Sequence, residues 1–360
     1  MPASTSPPSP LRSRARRLLP ALLAALALPL AGAALPAPAA AAAAVTVTTG
    51  PELEQALAAA RPGQTITLAG DRRYVGTFTA TRAGTAGAPI TLTGPRSAVL
   101  VNDDTPSGSG CPAPGTHRSG YGLWLYNASH WNLRGFTVAD SKKGIVIDRS
   151  TSVHISGVEV RRTDEEGVHF RSSSADGSLR DSRIHDIGLV QPGYGEGLYI
   201  GSAHGNWGCH GLTGGRDRSD RIQVTGNHFG PNVRGEHIDV KEGTRDGRVA
   251  NNTFDGRGIS GVHYADSWVD LKGNGYIFED NTGTFSPPGT FTHGYTSTQQ
   301  LAGEGCGNVF RSNRSDLGGV GGYAIALWSQ SSCGSNPNTV HSSNTVANAR
   351  QGLTNIPLTP

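Results

Sequence analysis

The sequence is poor in charged residues and lacks several motifs that carry nucleotide, hydrolase or metalloprotease chemistry. Lysine, arginine, aspartate and glutamate make up 16% of the 360 residues. Neither a GxxxxGK[S/T] phosphate loop, nor a GxSxG nucleophile turn, nor an HExxH metal motif occurs in the chain. The sequence therefore gives no indication of nucleotide-dependent chemistry.

Cysteine is also scarce, and its spacing excludes the common zinc-binding patterns. The chain has four cysteines, and no two of them form a CxxC pair. An even number of cysteines in an exported protein indicates two disulfides. We favour Cys111 with Cys209 and Cys306 with Cys333, because each cysteine lies in a glycine-rich loop, but the sequence leaves the other pairings open.

Residues 1–44 have the composition of a secretory signal peptide. Four arginines precede the apolar run LLPALLAALALPLAG and an alanine-rich stretch that offers cleavage sites. A membrane anchor is the alternative, but Pro20 and Pro29 interrupt the run, which is short for a span. Removing this segment takes away four arginines and no acidic residue, so the net charge falls from +3 to about −1. We therefore expect a secreted monomer with a single domain over 45–360 and no nucleic-acid or membrane partner.

The remaining chain contains an internal repeat with two registers. In the first, a glycine precedes alternating apolar residues and recurs every 22 to 38 residues, as in GIVID, GVHF and GLYI. In the second, short strands end at Asn227, Asn252, Asn281, Asn313 and Asn344. Units this short cannot bury their own apolar face, so they must stack on one another.

Stacked coils of short strands predict an all-β fold, a right-handed parallel β-helix of about nine or more coils. The asparagines suit the corners between strands and can hydrogen-bond to one another. A β-sandwich is the alternative, although it would not repeat two registers in step. At the front of the domain, the pattern from Glu52 to Ala60 predicts a short helix that covers the open end of the solenoid.

One segment, RGEHIDVKEGT at 234–244, concentrates the charges that are rare elsewhere. Strand alternation after each repeat glycine predicts that Asp239 and Lys241 point outward. The outward column on successive coils would consist of His169, Tyr199, His237 and His263. Beside it would lie Glu166, Glu196 and Glu236. The alternatives are a polar surface without function and a transition-metal site formed by the histidines with Asp239.

Such a patch in an open groove suits the elimination chemistry of uronate polysaccharides. Abstraction of the weakly acidic C5 proton requires a base, and the charge that builds on the adjacent carboxylate requires a cation. Lys241 is the candidate base, provided that positive neighbours or burial lower its pKa. Calcium is the candidate cation, and its candidate oxygen ligands are Glu236, Glu196, Glu166 and Asp239. The candidates for protonating the leaving oxygen are His263, His237 and Arg257.

The segment GEHIDVK resembles the calcium-and-lysine segment of the chondroitinase B/alginate lyase family of secreted β-helix polysaccharide lyases. The opening PELEQALAAARPGQTITLAG is similar to theirs, and the calcium-dependent pectate lyases are about as similar. The resemblance implies that Glu236 binds calcium and that Lys241 is the base. Arg234 stands where that family has a second glutamate, and His263 or Arg257 would have to replace the arginine that the family has one coil later.

Several residues around this segment are candidates for binding an acidic polysaccharide substrate. They are His169, Tyr199, Trp268, Lys272 and Arg245. Trp268 would be a sugar-stacking platform, and Lys272 is a competing base. The insertion at 201–220 is expected to form a wall of the groove. The functional alternatives are a β-helix glycoside hydrolase, which needs paired carboxylates, a uronate epimerase, and a non-catalytic carbohydrate-binding surface protein.

Overall fold

Three parallel β-sheets form the described part of the protein, and from β2 onward each strand along the chain lies in a different sheet from the strand before it. The computed structural model describes residues 44–116, 118–328 and 330–360. The predicted signal peptide lies outside the described residues, apart from Ala44.

The described residues form 12, 10 and 10 strands in sheets 1, 2 and 3. Sheet 1 contains β1 (Val45–Val47), β2 (Thr65–Leu68), β5 (Ile90–Thr93), β8 (Trp131–Arg134), β11 (Val153–Ser156), β14 (Ser178–Arg180), β17 (Gln223–Thr225), β20 (Arg248–Ala250), β23 (Ile277–Glu279), β26 (Val309–Arg311), β29 (Thr339–His341) and β32 (Leu358–Thr359). Sheet 2 contains β3 (Arg72–Val75), β6 (Ala98–Asn102), β9 (Thr137–Ser141), β12 (Glu159–Thr163), β15 (Arg183–Ile187), β18 (His228–Phe229), β21 (Thr253–Asp255), β24 (Thr282–Thr284), β27 (Arg314–Asp316) and β30 (Thr345–Ala347). Sheet 3 contains β4 (Thr79–Ala80), β7 (Tyr121–Tyr126), β10 (Lys143–Asp148), β13 (Val168–Arg171), β16 (Leu198–Ile200), β19 (Ile238–Val240), β22 (Ser267–Leu271), β25 (His293–Ser297), β28 (Tyr323–Leu327) and β31 (Gly352–Thr354).

Every strand pairs in parallel with the equivalent strand of the next coil. In sheet 3, for example, β13 lies between β10 and β16, and both pairings are parallel. This order confirms the predicted parallel β-helix and its repeat, and the β-sandwich alternative is wrong. A parallel β-helix places the same strand position of successive coils side by side, about 4.8 Å apart.

The interior is built from columns of apolar side chains that stack along the solenoid. In sheet 3 one such column occupies a single register position on five successive strands. Its members are Leu123, Ile145, Val168, Leu198 and Ile238, and all are fully buried. Burying such a side chain stabilises the fold by about 1.5–3 kcal/mol, so the stacked columns supply a large part of the folding free energy.

A ladder of asparagines lines one corner of the solenoid, as the second register predicted. The side-chain amides of the four asparagines before Asn344 each donate to the Oδ1 of the asparagine one coil further on, at 3.0 Å from Asn227 to Asn252 and at 2.9 Å from Asn281 to Asn313. The same Oδ1 atoms accept the backbone N–H of the previous asparagine, at 2.9 Å for Asn227. The ladder satisfies buried polar groups where the backbone turns and leaves the sheet pairing.

A short helix covers the first coil, as expected, but it begins two residues earlier than the pattern indicated. Helix α1 runs over Gly50–Ala58, and Thr49 caps it by accepting the Glu52 N–H at 3.4 Å. The described chain also contains helix α2 (Trp207–His210) and 3₁₀ turns at Pro192–Tyr194, His204–Asn206, Val262–Tyr264 and Gln330–Cys333. Among the described residues, no helix is long and apolar enough to cross a membrane.

Two disulfides join loops outside the sheets. Cys111 is bonded to Cys209, and Cys306 is bonded to Cys333, so the favoured pairing is confirmed. Disulfides persist in oxidising compartments, and the structure is therefore consistent with an extracellular location.

Candidate functional site

A cleft of about 640 Å³ lies on the outer face of sheet 3 and spans strands β16 to β28. Its floor consists of outward side chains of the sheet, namely Glu196, Tyr199, Glu236, Asp239, Lys241, Asp270 and Lys272. Its walls come from loops and contain Tyr194, His204, His263, Tyr264 and Trp328. The predicted wall at 201–220 is thus present, since Ala203 and His204 line the cleft.

Parallel register brings the floor residues together from distant parts of the sequence. One outward column consists of His169, Tyr199, Asp239 and Asp270. A second outward column contains Lys241 and Lys272. The Lys272 N–H donates to the Val240 carbonyl oxygen at 2.8 Å, and the Lys241 N–H donates to the Ile200 carbonyl oxygen at 2.9 Å. Because both lysines follow their strands at the same position, their side chains lie on neighbouring coils.

The two lysines share one carboxylate. Lys241 Nζ lies 2.5 Å from Asp239 Oδ2, and Lys272 Nζ lies 3.3 Å from Asp239 Oδ1. Lys272 also pairs with Asp270 on its own strand. Lys241 Nζ lies 4.9 Å from the centre of the Tyr199 ring. Charged groups of both signs therefore meet around a single amine on the cleft floor.

The electrostatics differ from the sequence expectation that the pKa of Lys241 would be lowered. Burial acts to lower the pKa of Lys241, but the Asp239 carboxylate outweighs burial and raises that pKa above its ordinary value. Lys272 behaves in the same way, since Asp239 and Asp270 outweigh burial and raise its pKa. In the free protein, both lysines are therefore held in the charged form.

The carboxyl groups beside the lysines have divergent pKa values. Burial, together with the charges of Glu166 and Asp239, raises the pKa of Glu196 to about 8. Burial and the charges of Asp239 and Asp270 raise the pKa of Glu236 well above its ordinary value. Asp239 is also buried, but Lys241 and Lys272 lower its pKa. The charged form is therefore favoured at Asp239 and disfavoured at Glu196 and Glu236.

Three of the predicted calcium ligands converge. Glu196, Glu236 and Asp239 each offer a carboxylate oxygen, and these oxygens lie within 4.8 Å of one another. Glu196 Oε2 is buried and has no hydrogen-bond partner among the described residues. Glu166 is not part of this trio, because its carboxylate pairs with Lys143 and lies 3.5 Å from His169 Nδ1. The trio has the hard oxygen donors that a calcium ion requires.

A second cavity of about 270 Å³ adjoins the cleft and shares Tyr194, Glu196 and Tyr199 with it. It extends over strands β10 and β13, and its other lining residues are Lys143, Glu165, Glu166, His169, Arg171, Ser202, Asn206 and His210. His169, a predicted substrate-binding residue, is buried here, with Nε2 2.8 Å from the Gly201 carbonyl oxygen.

Two predicted site residues lie in the apolar core instead. The His237 ring is fully buried and stacks on Phe229 and Phe254, so the prediction that it faces outward is wrong. Trp268 is fully buried as well and stacks on Phe254, so it is not a sugar-stacking platform. Gly283 makes room for the indole, since a Cβ there would lie 2.4 Å from Trp268 Cζ3.

The error arose from matching Gly235 with Gly197. The Gly235 N–H donates to the Gly195 carbonyl at 2.8 Å, so GEHIDV aligns with GEGLYI. His237 therefore takes the inward position of Gly197, and Asp239 takes the outward position beside Tyr199. His263 lies in the turn Val262–Tyr264 rather than on a strand of sheet 3. The three histidines therefore do not converge, and the transition-metal alternative is wrong.

Three further predicted residues reach different places. His263 lines the cleft from the turn Val262–Tyr264, with Nδ1 3.0 Å from the Gly193 carbonyl oxygen. Arg257 follows strand β21 of sheet 2 and pairs with Asp255, the last residue of that strand, at 3.5 Å. Arg245 is exposed in a different surface depression, together with Asp176 and Arg221. Neither arginine is among the described residues that line the cleft, so both predictions are wrong.

Sequence reasoning missed the residues that extend the site towards β10. Arg171 is buried and pairs with Asp148 at 2.8 Å, and Lys143 pairs with Glu165 at 3.2 Å. His204 lies within the insertion that was expected to form a wall, and its Nδ1 is 2.8 Å from Glu242 Oε1 beside the cleft. Extending the outward alternation back to the strand GVHFR would have placed Arg171 on the same face as His169. Lys143 has the parity of the inward Ile145 and Ile147, so alternation alone would not have found it.

Comparison with solved structures found several proteins of the same architecture. The alginate lyase from Paenibacillus sp. str. FPU-7 is 32% identical over 86% of this chain and 97% of that chain, with a TM-score of 0.75. Pectate lyase Pel9A is 15% identical over 85% of this chain and 75% of that chain, with a TM-score of 0.53. The GH136 lacto-N-biosidase from Eubacterium ramulus is 10% identical over 87% of this chain and 68% of that chain, with a TM-score of 0.52. The last two likenesses concern the fold alone, and a search of curated proteins gave no match.

The fold and the cleft define a parallel β-helix protein with a charged cleft across one sheet. The pattern of the right-handed β-helix region matches residues 121–356. The chain belongs to this right-handed β-helix family, and the predicted handedness and the predicted similarity to β-helix polysaccharide lyases are confirmed.

Proposed function

We propose that this protein is an exported polysaccharide lyase that cleaves a uronate-containing polysaccharide by β-elimination. The observation that carries the proposal is the position of the Lys241 amine, which lies on the cleft floor between Asp239 and the Tyr199 ring. The alginate lyase at 32% identity supports the same substrate class, and the two disulfides support export.

The proposed reaction breaks one carbon–hydrogen bond and one carbon–oxygen bond and moves two protons, one to the base and one to the leaving oxygen. Lys241 removes the proton on C5, the electron pair forms the C4=C5 double bond, and the C4–O bond breaks. Tyr199 is the proposed donor to the leaving oxygen. Burial and the charges of Asp239 and Glu196 raise the pKa of Tyr199 well above its ordinary value, so its hydroxyl keeps the proton until it is needed. His263, on the cleft wall, is the second candidate donor.

Lys241 acts as a base only after it loses its proton, and Asp239 opposes that loss. Any ligand that draws the Asp239 charge away from the amine lowers the pKa of Lys241. Glu196, Glu236 and Asp239 are the residues that would hold a calcium ion, and a bound cation would supply positive charge for the substrate carboxylate. In their protonated forms, Glu196 and Glu236 can themselves donate hydrogen bonds to that carboxylate.

A glycoside hydrolase is the second candidate. The observation that favours it is the pairing of a protonated carboxyl, Glu196, with a charged one, Asp239, which is the arrangement that glycoside hydrolysis requires. A uronate epimerase would use the same proton abstraction but would leave the polymer intact.

The test is a panel of alginate, pectate, chondroitin and glucuronan, incubated with the protein with and without EDTA. A lyase produces ultraviolet absorbance from the new double bond, whereas a hydrolase produces reducing ends without that absorbance. An epimerase changes the uronate composition at constant chain length. Retention of polymer without turnover would identify a binding protein and would overturn the proposal.

A further inference from the structure

On the N-terminal side of the second cavity, the outer face of sheet 3 carries buried apolar side chains instead of the polar side chains of the cleft floor. Val146 and Trp124 continue the outward column of His169 on strands β10 and β7. Val146 is fully buried and Trp124 is 2% exposed, although both point away from the main core. Trp124 Nε1 donates to Asp148 at 2.8 Å, which fixes the ring in place. A polymer lying in the cleft therefore cannot continue along the sheet past β13.

Two loop segments joined by a disulfide cross this part of the sheet. One (103–116 and 118–120) leads into the start of β7, and the other (201–220) leaves the end of β16. Because the strands of sheet 3 are parallel, these two segments leave opposite edges of the sheet. Cys111–Cys209 links them, so together they span the outer face. We call these two linked segments the strap.

The strap bounds the second cavity. His210 and Asn206 of the strap line it, and His210 Nδ1 lies 2.8 Å from Ser172 Oγ, just after β13. Thr213 donates to Ser173 Oγ at 3.2 Å, which anchors the strap beside the same strand. The second cavity is therefore the closed end of the cleft.

The charges that line this closed end are compensated within the protein. Lys143 pairs with Glu166, and Arg171 donates to Asp148 from Nε at 2.8 Å and from Nη2 at 3.0 Å. Burial lowers the pKa of His210 to about 3, so this imidazole is neutral. A lining of paired charges and neutral hydrogen-bonding groups suits the hydroxyls of a sugar ring.

The opposite end of the cleft carries exposed aromatic side chains. Tyr264 is 91% exposed and Trp328 is 47% exposed, and both line the cleft. Aromatic faces at an open end are suitable for packing against the sugar rings of a chain that continues into solvent. The cleft thus has one closed polar end and one open aromatic end.

We infer that the second cavity binds the terminal sugar of the polysaccharide and that the protein shortens its substrate from one chain end. This inference rests on the proposed lyase activity and specifies where that activity cuts. Two coil spacings, about 10 Å, separate β13 at the closed end from β19, which precedes Lys241. The distance from closed end to amine is fixed, so the released fragments should be short and uniform.

The experiment follows product size and solution viscosity while a long uronate polymer is digested. We expect one short unsaturated product from the earliest time points and a slow fall in viscosity for each bond broken. A mixture of long fragments at early times would overturn the inference and leave the lyase proposal intact. Absence of unsaturated product on every uronate polymer would contradict the lyase proposal itself.

A strap variant provides the second measurement. Cys111→Ser combined with Cys209→Ser should raise the early proportion of long fragments several-fold, because the closed end is no longer tethered. Cys306→Ser combined with Cys333→Ser is the matched control, and it should keep the short product. Circular dichroism melts establish that each variant is folded; if the strap variant is unfolded, the wild-type product pattern decides. A folded strap variant that keeps the uniform short product contradicts the role of the strap.

Discussion

Lys241 and Asp239 form an ion pair on the floor of the cleft, with 2.5 Å between Nζ and Oδ2. They are two positions apart on one outward-facing segment, so the pleat alone places them on the same face. The pairing raises the pKa of Lys241, and this connects the electrostatics of the free protein with the proposed chemistry.

Replacing Lys241 by arginine separates charge from basicity. Arginine keeps the ion pair with Asp239 but does not lose its proton in the working pH range, so we expect turnover to fall by about 100-fold or more. Lys142→Arg is the matched control and should retain activity, because Lys142 is half-buried outside the cleft floor and arginine keeps its pairing with Glu165. Initial rates of unsaturated product formation measure the effect. If Lys241→Arg keeps full turnover while Lys272→Arg loses it, Lys272 is the base.

Asp239→Asn should shift the pH dependence of turnover. The amine must be deprotonated to act, and Asp239 raises the pKa of Lys241, so the wild-type rate should rise towards alkaline pH. Without the carboxylate, the rising limb of kcat/KM should move to lower pH, even if the maximum rate is smaller. The measurement is a pH profile of kcat/KM for both proteins. An unchanged rising limb would show that another group controls it.

The buried Glu196 should make stability depend on pH. Between the ordinary glutamate pKa of 4.5 and about 8, the folded protein holds a proton that the unfolded chain has lost. Stability therefore falls as pH rises through this window, by at most about 1.4 kcal/mol per pH unit. Glu196→Gln should flatten that slope in denaturant titrations. Equal slopes in wild type and Glu196→Gln would contradict the assignment.

Calcium should stabilise the protein most where this glutamate is ionised. A ligand that binds only the folded state raises the melting temperature, and the required carboxylate form of Glu196 dominates above its pKa of about 8. We expect a larger rise in Tm with calcium at alkaline than at mildly acidic pH, and its loss in Glu236→Gln. No shift at any pH would argue against a calcium site in the trio.

His237→Phe should preserve activity and improve stability in acid. Burial lowers the pKa of His237 to about 3, so below 6.5 the unfolded chain gains a proton that the folded protein does not. The stability that the neutral His237 ring contributes at neutral pH is therefore lost as the pH falls from 6.5 towards 3. Phenylalanine does not titrate, so it removes this loss and keeps the stack with Phe229 and Phe254. Acid unfolding curves and turnover are measured together. Loss of turnover at unchanged Tm would return His237 to the catalytic candidates.

Asn281→Ala should test the corner ladder. Asn281 Oδ1 accepts the Asn252 N–H at 3.0 Å, and its amide donates to the Val249 carbonyl oxygen at 2.9 Å. Leaving these buried groups unpaired costs about 1–3 kcal/mol for each polar group. Asn132→Ala, which removes one long hydrogen bond to Thr91 at 3.5 Å, is the control. Denaturant midpoints compare the two variants, and equal small losses would show that the ladder contributes little.

The sequence by itself determined the solenoid and much of its cleft floor. A repeat with period-two strands has few ways to bury its apolar side chains, so the fold and the asparagine ladder followed from local patterns. The sequence favoured one disulfide pairing but left the others open, and the structure decided between them. Outward placement of Tyr199, Asp239 and Lys241 also followed, because it depends only on alternation within one strand.

The tertiary structure alone decided how neighbouring coils align and what the loops cover. Loops of unequal length between strands leave the register between coils free, and backbone hydrogen bonding then set Gly235 against Gly195 rather than Gly197. His237 therefore occupies the position of the repeat glycines, just before β19 begins, where a side chain points into the core. The strap bounds the second cavity. Both outcomes depend on contacts between residues far apart in the chain, which no local pattern encodes.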